Sequence, residues 1–140
     1  MLYQDFVKYA AARQRYWARN FVGWPRFSAT QPNETHHILA DWYRRCKLDY
    51  LVTQNVDELH RKAGSSHCIE LHGSTHRVVC LSCGDIKPRT ELQQRLTEAN
   101  PGWQVESLQD QIAPDGDVLL PDDLVSNFSV SAILCIVYIT

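Results

Sequence analysis

Over residues 3 to 19, "YQDFVKYAAARQRYWAR", Phe6, Tyr9, Ala10 and Trp17 fall near one face of a helix, with Lys8 and Arg15 elsewhere. Gly23 and Pro25 in "FVGWPRF" predict its end. "ATQPNET" reads as a loop leading to a second helix over roughly residues 33 to 47. There Ile38, Leu39, Trp42, Tyr43 and Cys46 recur at three and four, and Asn33 is placed to cap it. "DYLVTQ", Asp49 to Gln54, is short and rich in β-formers, which predicts a fully buried strand. "HCIELHG" and "HRVVCL" are two more short strands. "TELQQRLTEA" is a polar helix stopped before Pro101, and residues 101 to 123 read as an exposed loop rich in Pro, Asp and Gln. A helix followed by a strand is half of a βαβ unit, so the class is α/β. No internal repeat is visible.

Past residue 129 the character changes. "VSAILCIVYIT" is apolar, β-branched and uncharged, without alternation. It reads either as a buried terminal strand or as an aberrant tail from a splice or gene-model error, and the second reading is preferred. No segment reaches the roughly 20 apolar residues that a transmembrane helix needs, so no membrane is expected as a partner. Arg13, Arg15 and Arg19 would suit a mitochondrial presequence, but the helical periodicity of the same stretch explains them better.

Composition narrows the classes further. The net charge is −2, with 14 basic and 16 acidic residues among 140, which gives no electrostatic reason to expect nucleic acid. Five cysteines with one C-x-x-C pair do not form a secreted disulfide framework. A reducing compartment with a metal at the pair is the better default.

Three constellations carry chemistry. In "CLSCG", Cys80 and Cys83 can turn both sulfurs to one point, and Gly84 frees the backbone for the tight turn this needs. Structural zinc wants four ligands and the pair supplies two; His67, Cys68, His72, His76 and Cys135 are the other candidates, none in a second knuckle. A redox pair, or two plain core cysteines, is the alternative. In "TQNVD", a strand ending in Gln54, Asn55 and Asp57 offers amides and a carboxylate at the carboxyl edge of a parallel sheet, where α/β folds bind ligands. Asp57 equally suits a cap on the turn "ELHRKAG". His72 is either a satisfied interior histidine or a general base, for which a pKa near 6.5 is apt. Glu70 lies two residues away on the same strand face. His60 and His76 read as surface or packing residues.

Taken in order, "TQNVDELHRKAG", "ELHG" and "CLSCG" resemble the central run of the sirtuin family of NAD-dependent protein-lysine deacylases. "RYWARNFVGWP" resembles that family's helical segment, and "APDGDV" at residues 113 to 118 resembles its mitochondrial branch with lipoamidase and ADP-ribosyltransferase activities. The resemblance covers about residues 10 to 128. It implies a partial sirtuin fold: part of a Rossmann-like NAD-binding domain with a small zinc-ribbon domain. Residues 1–128 would be the catalytic-core fragment, the ribbon portion about 74–128, and residues 129–140 a divergent apolar tail. It also implies roles. Gln54, Asn55, Val56 and Asp57 would line the NAD pocket, His72 would be the general base, and Cys80 and Cys83 would be two of four ligands to structural zinc. The partners would be acyl-lysine proteins, and the compartment the mitochondrial matrix.

The family's Gly-rich phosphate loop should precede the first helix, ahead of Met1, and its second C-x-x-C should stand where "SAILCIVYIT" begins. The expectation is therefore a chain truncated at both ends and inactive by itself. A non-catalytic binding module from a truncated isoform is the alternative. A zinc-ribbon nucleic-acid module is a third reading, disfavoured by the charge.

Overall fold

The computed structural model describes residues 2–103 and 118–131, and the backbone of residues 137–139. Most of "APDGDV", the greater part of the expected loop at 101–123, and Cys135 lie outside the described residues.

Six helices and five strands follow one another among the described residues: α1 (Tyr3–Lys8), α2 (Ala10–Ala29), α3 (Glu34–Arg44), β1 (Leu51–Thr53), α4 (Leu59–Lys62), β2 (Cys68–Glu70), β3 (Arg77–Cys80), β4 (Ile86–Pro88), α5 (Arg89–Ala99), α6 (Asp122–Ser126) and β5 (Val137–Ile139). Mixed helices and strands bear out the α/β class. β1 and β2 form a parallel pair, and β4, β3 and β5 an antiparallel sheet in that order. The backbone of the terminal run is thus a strand at Val137–Ile139, with Cys80 opposite Val137.

The first predicted helix is two. The backbone is extended at Tyr9, and Arg13 closes the break by donating from Nη1 to the carbonyls of Phe6 (3.0 Å) and Val7 (2.9 Å). Nor do Gly23 and Pro25 end α2, which runs on to Ala29. Proline has no N–H to give the carbonyl four residues back. That carbonyl belongs to Phe21, and Nε2 of Gln93, on α5, donates to it at 3.0 Å. The neighbouring Asn20 carbonyl accepts from Nη2 of Arg89 at 3.3 Å. A helix across the core therefore supplies what proline removes.

Asn33 caps α3 as expected. Its Oδ1 accepts the His36 N–H (3.2 Å), while Nδ1 of His36 accepts the Asn33 N–H (3.2 Å). The helix stops at Arg44, short of the predicted residue 47, because Cys46 turns left-handed at φ +54°; the Lys47 N–H then donates to the Trp42 carbonyl at 2.9 Å.

The core lies between α2, α5, β3 and α6. Phe6, Trp17, Ala18, Val78, Leu92, Leu96, Val125 and Phe128 are buried together there. Arg89, the first residue of α5, is buried among them, with its guanidinium 5.2 Å from the Trp17 ring and 5.1 Å from the Trp24 ring. Burial lowers its pKa to about 10. β1, by contrast, is not fully buried: Val52 is 56% exposed, and among the described residues β1 pairs with β2 alone.

Candidate functional site

β1 and β2 run side by side in the same direction, with Leu51 opposite Cys68, Val52 opposite Ile69 and Thr53 opposite Glu70. The segments that follow them therefore leave the sheet at one edge. After β1 come Gln54, Asn55, Val56 and Asp57; after β2 come Leu71 and His72. The carboxyl edge of a parallel sheet is where α/β folds place ligands. The structure thus brings the two sequence-predicted groups to one rim. Gln54, Asn55 and His72 are exposed there, and Val56 and Asp57 are half-buried. The interior reading of His72 does not hold.

Backbone hydrogen bonds fix the rim. The Leu71 N–H continues the ladder to the Thr53 carbonyl at 2.9 Å. Oγ1 of Thr53 accepts the Asn55 N–H at 3.0 Å, and Oδ1 of Asp57 accepts the Leu59 N–H at 3.0 Å. The N-cap position of α4 is Glu58, and Asp57, one residue earlier, instead closes an Asx-type turn onto the first N–H of the helix, which commits one carboxylate oxygen. Thr75 reaches across and donates twice to the Val56 carbonyl, from its N–H and its Oγ1, both at 2.9 Å.

A charged network underlies these turns. Glu58 adopts φ +57°, a left-handed backbone that side chains usually avoid. One of its carboxylate oxygens accepts from Oγ of the buried Ser74 (2.5 Å) and from Nη1 of Arg77 (3.2 Å). Nη2 of Arg77 donates to Glu70 at 2.9 Å, and the Glu70 side chain, 5% exposed, also faces Nε of Arg61 at 3.2 Å. Nη2 of Arg61 donates to the Cys68 carbonyl at 3.0 Å. Burial, and then the Glu70 charge, push the Cys68 thiol above the usual range. Sequence reasoning found Glu70 but missed Glu58, Arg61, Ser74 and Arg77. Their signal is faint: opposite charges interleaved with the chemical residues, at separations no local period marks.

His60 and His76 pack, as expected of them. The His60 ring lies 4.6 Å from that of His36, and the His76 ring 4.9 Å from that of Trp24 and 6.4 Å from that of Phe27. Burial lowers the pKa of both.

Cys80 and Cys83 sit at the turn joining β3 to β4. Cys80 is buried and Cys83 exposed. Gly84, at φ +75°, donates its N–H to the Cys80 carbonyl at 2.7 Å, and the Cys80 N–H donates to the Asp85 carbonyl at 2.8 Å. This tight turn suits two thiolates facing one ion. Among the described residues no group of three or more His, Cys, Asp or Glu is placed to hold a metal. His67 is instead hydrogen-bonded to the Tyr43 hydroxyl (2.8 Å), and Cys68 belongs to β2. The pair by itself would supply two of the four ligands that structural zinc takes.

A cavity of about 560 Å³ opens at the other end of the parallel pair, lined by Tyr43, Arg44, Cys46, Leu48, Asp49, Tyr50 and His67. It adjoins the amino ends of β1 and β2, so it is separate from the rim that carries His72. Among the described residues no helix is long and apolar enough to cross a membrane.

Comparison with known proteins completes the picture. The family model described as "Sir2 family" matches residues 2–129. Over 126 residues the chain is 56% identical to the NAD-dependent protein lipoamidase sirtuin-4, mitochondrial, of Bos taurus, covering 90% of this chain and 39% of that protein. The Homo sapiens protein of the same name is 55% identical over 126 residues, covering 90% and 40%. The NAD-dependent protein deacylase Sirt4 of Drosophila melanogaster is 52% identical over 128 residues, covering 91% and 40%. Among solved structures, a Sir2 protein bound to a propionylated peptide superposes with a TM-score of 0.57 at 27% identity, over 66% of this chain and 38% of that one. A Sir2 homologue in complex with ADP ribose gives 0.52 at 34% identity, over 62% and 34%. The chain spans about two fifths of the length of the curated relatives it matches.

Proposed function

The chain belongs to the Sir2 family, and on that premise we propose that it carries the catalytic centre of an NAD-dependent protein-lysine deacylase. The observation that carries this reading is the parallel register of β1 and β2, which delivers Gln54 to Asp57 and His72 to one sheet edge. Bound NAD supplies nicotinamide as leaving group and a ribose that accepts the acyl group of a modified lysine. The chain's own residues bind, orient and move a proton. Gln54, Asn55, Val56 and Asp57 line the nicotinamide and ribose side of the pocket. The imidazole of His72 accepts a proton from a ribose hydroxyl. Its exposure keeps it in contact with solvent, so it can lose that proton again.

Orientation of reactants at such a rim supplies about 7–11 kcal/mol of a barrier. The ladder and the Thr75 bonds to Val56 are the means available here. Cys80 and Cys83 give two thiolate ligands to a structural zinc, remote from the proton transfer. Residues 74–128 form the small zinc-bearing part, residues 1–128 the family core, and residues 129–140 a divergent end. The substrates are acyl-lysine proteins, with lipoyl and acetyl groups the first to try. The names of the relatives support a mitochondrial setting, in the matrix.

The test is nicotinamide release from NAD in the presence of acyl-lysine peptides, by this chain and by His72→Tyr. Little or no release is expected from this chain by itself, and whatever release it gives should fall about 10²–10⁴-fold in the variant. A variant that keeps full release removes His72 from the mechanism. No release from the unaltered chain would leave the family assignment intact and be consistent with the second reading, a non-catalytic binding module.

A further inference from the structure

His72 makes no hydrogen bond through its ring among the described residues, and Gly73 behind it is left-handed at φ +74°. Something else must hold the imidazole over the rim. The residues two before and two after it are both held. Glu70 is gripped by Arg77 (2.9 Å) and Arg61 (3.2 Å), and Ser74 donates to Glu58. Arg77 joins the two grips, because its other terminal nitrogen reaches Glu58 at 3.2 Å. Glu58 itself stands next to Asp57, on the segment that carries Gln54 and Asn55. The polar groups thus close a ring: Glu58 to Ser74, across His72 to Glu70, through Arg77 and back to Glu58.

We propose that Glu58, Glu70 and Arg77 are positioning residues, an ionic clamp that fixes His72 relative to the Gln54–Asp57 segment. This rests on the reading of that rim as the NAD site. The pairs themselves stabilise the fold, because Glu58 and Glu70 are 19% and 5% exposed beside Arg77 at 38%. One feature separates the clamp from ordinary stabilisation. Glu58 holds a backbone conformation that glycine adopts without strain. Its carboxylate reaches the turn that carries His72, through Ser74 and Arg77. Two glutamates and two arginines leave the network with no net charge.

The experiment compares the whole chain with Glu58→Gly, Arg77→Met and Arg77→Lys by three readouts. These are melting temperature, amide hydrogen exchange at Thr75, and NAD affinity by titration. Glu58→Gly is expected to melt only modestly lower than the unaltered chain, because relief of the left-handed backbone offsets part of the loss of buried Ser74's acceptor. Thr75, whose N–H bonds Val56, should nonetheless exchange faster, and NAD affinity should fall about 10- to 100-fold. Arg77→Met should do the same at some cost in melting temperature, and Arg77→Lys should recover part of the loss. Unchanged exchange at Thr75 in both Glu58→Gly and Arg77→Met overturns the clamp. So does faster exchange with undiminished affinity. If the unaltered chain binds no NAD, the reading of the rim fails, and the exchange result alone decides whether the clamp exists.

Discussion

Around the antiparallel sheet, Trp17, Leu92, Leu96 and Phe128 are each no more than 3% exposed, and β3 tucks Val78 beneath them. Around the parallel pair, Tyr50, Val52, Ile69 and Leu71 stand 65%, 56%, 48% and 57% exposed. The first region is held by apolar area removed from water, about 25 cal/mol per Å². The second is held by directed polar contacts: the Thr53 and Val56 carbonyls, the Glu58–Arg77–Glu70 ring, and the Asp57 turn. Apolar burial is non-directional, while a hydrogen bond weakens steeply away from its preferred angle. On the proposed function the rim places an imidazole against a ribose, and it gains from the second kind. A frame that must simply persist gains from the first.

The widest separation between the regions should come from Trp17→Ala. The indole is wholly buried, packs edge-on against Tyr16 at 5.0 Å and lies under the Arg89 guanidinium. Truncation should cost about 3–5 kcal/mol, read as the loss of free energy in urea unfolding. Whole domains hold only about 5–15 kcal/mol, so this one change should come close to unfolding the chain. A loss under about 1 kcal/mol would mean that this cluster is not the main source of stability.

Acid should probe the seam. His76 lies where α2 meets the polar network, against Trp24 and Phe27, with Glu58, Lys62, Asp57 and Glu70 as its charged surroundings. Burial lowers its pKa, and it lowers that of His60 beside His36 and Asp57. The unfolded chain therefore binds protons first as pH falls. The stability these histidines permit is complete above their unfolded value near 6.5 and is lost as pH drops through the lower folded values. The unfolding midpoint should fall between pH 7 and pH 5, and His76→Phe should flatten that fall while leaving the midpoint at pH 8 close to its original value. An unaltered slope in His76→Phe would place the acid sensitivity elsewhere. The effect should be smaller than that of Trp17→Ala.

Much of this was legible along the chain where the cause was local. Asn33 caps α3 through His36, three residues on, and "TELQQRLTEA" is helical from its own composition. The run through Gln54, His72 and Cys83 pointed to the family because order and spacing survive without any contact being known. What escaped was set by distant partners. Pro25 reads as a stop, yet α2 passes through it because Gln93 answers the Phe21 carbonyl from 72 residues away. Glu58 reads as one surface charge among many. Its role depends on Arg77, nineteen residues on, and on a backbone angle that no pattern of hydrophobicity encodes. Val52 reads as buried because strands of parallel sheets are generally covered on both faces. Here, among the described residues, β1 pairs with β2 alone and Val52 is 56% exposed.

That last difference gives the smallest effect and the sharpest contrast. Val52 and Val78 are the same residue type in the middle of short strands, 56% and 4% exposed. Threonine replaces one methyl by a hydroxyl at nearly constant volume, so the substitution asks what surrounds that atom. At residue 78 the hydroxyl enters an apolar cluster beside Leu92 and Leu96, and leaving it without a partner should cost about 1–3 kcal/mol. At residue 52 the hydroxyl meets water and the strand keeps a β-branched side chain, so the change should stay within about 0.5 kcal/mol. Urea unfolding of Val52→Thr and Val78→Thr beside the unaltered chain measures both. Equal losses would mean that the open face of the parallel pair is covered in solution and that the two regions do not differ as described. A loss confined to Val78→Thr would mean that the rim bearing His72 keeps its shape with one sheet face in water, through polar contacts at its edge.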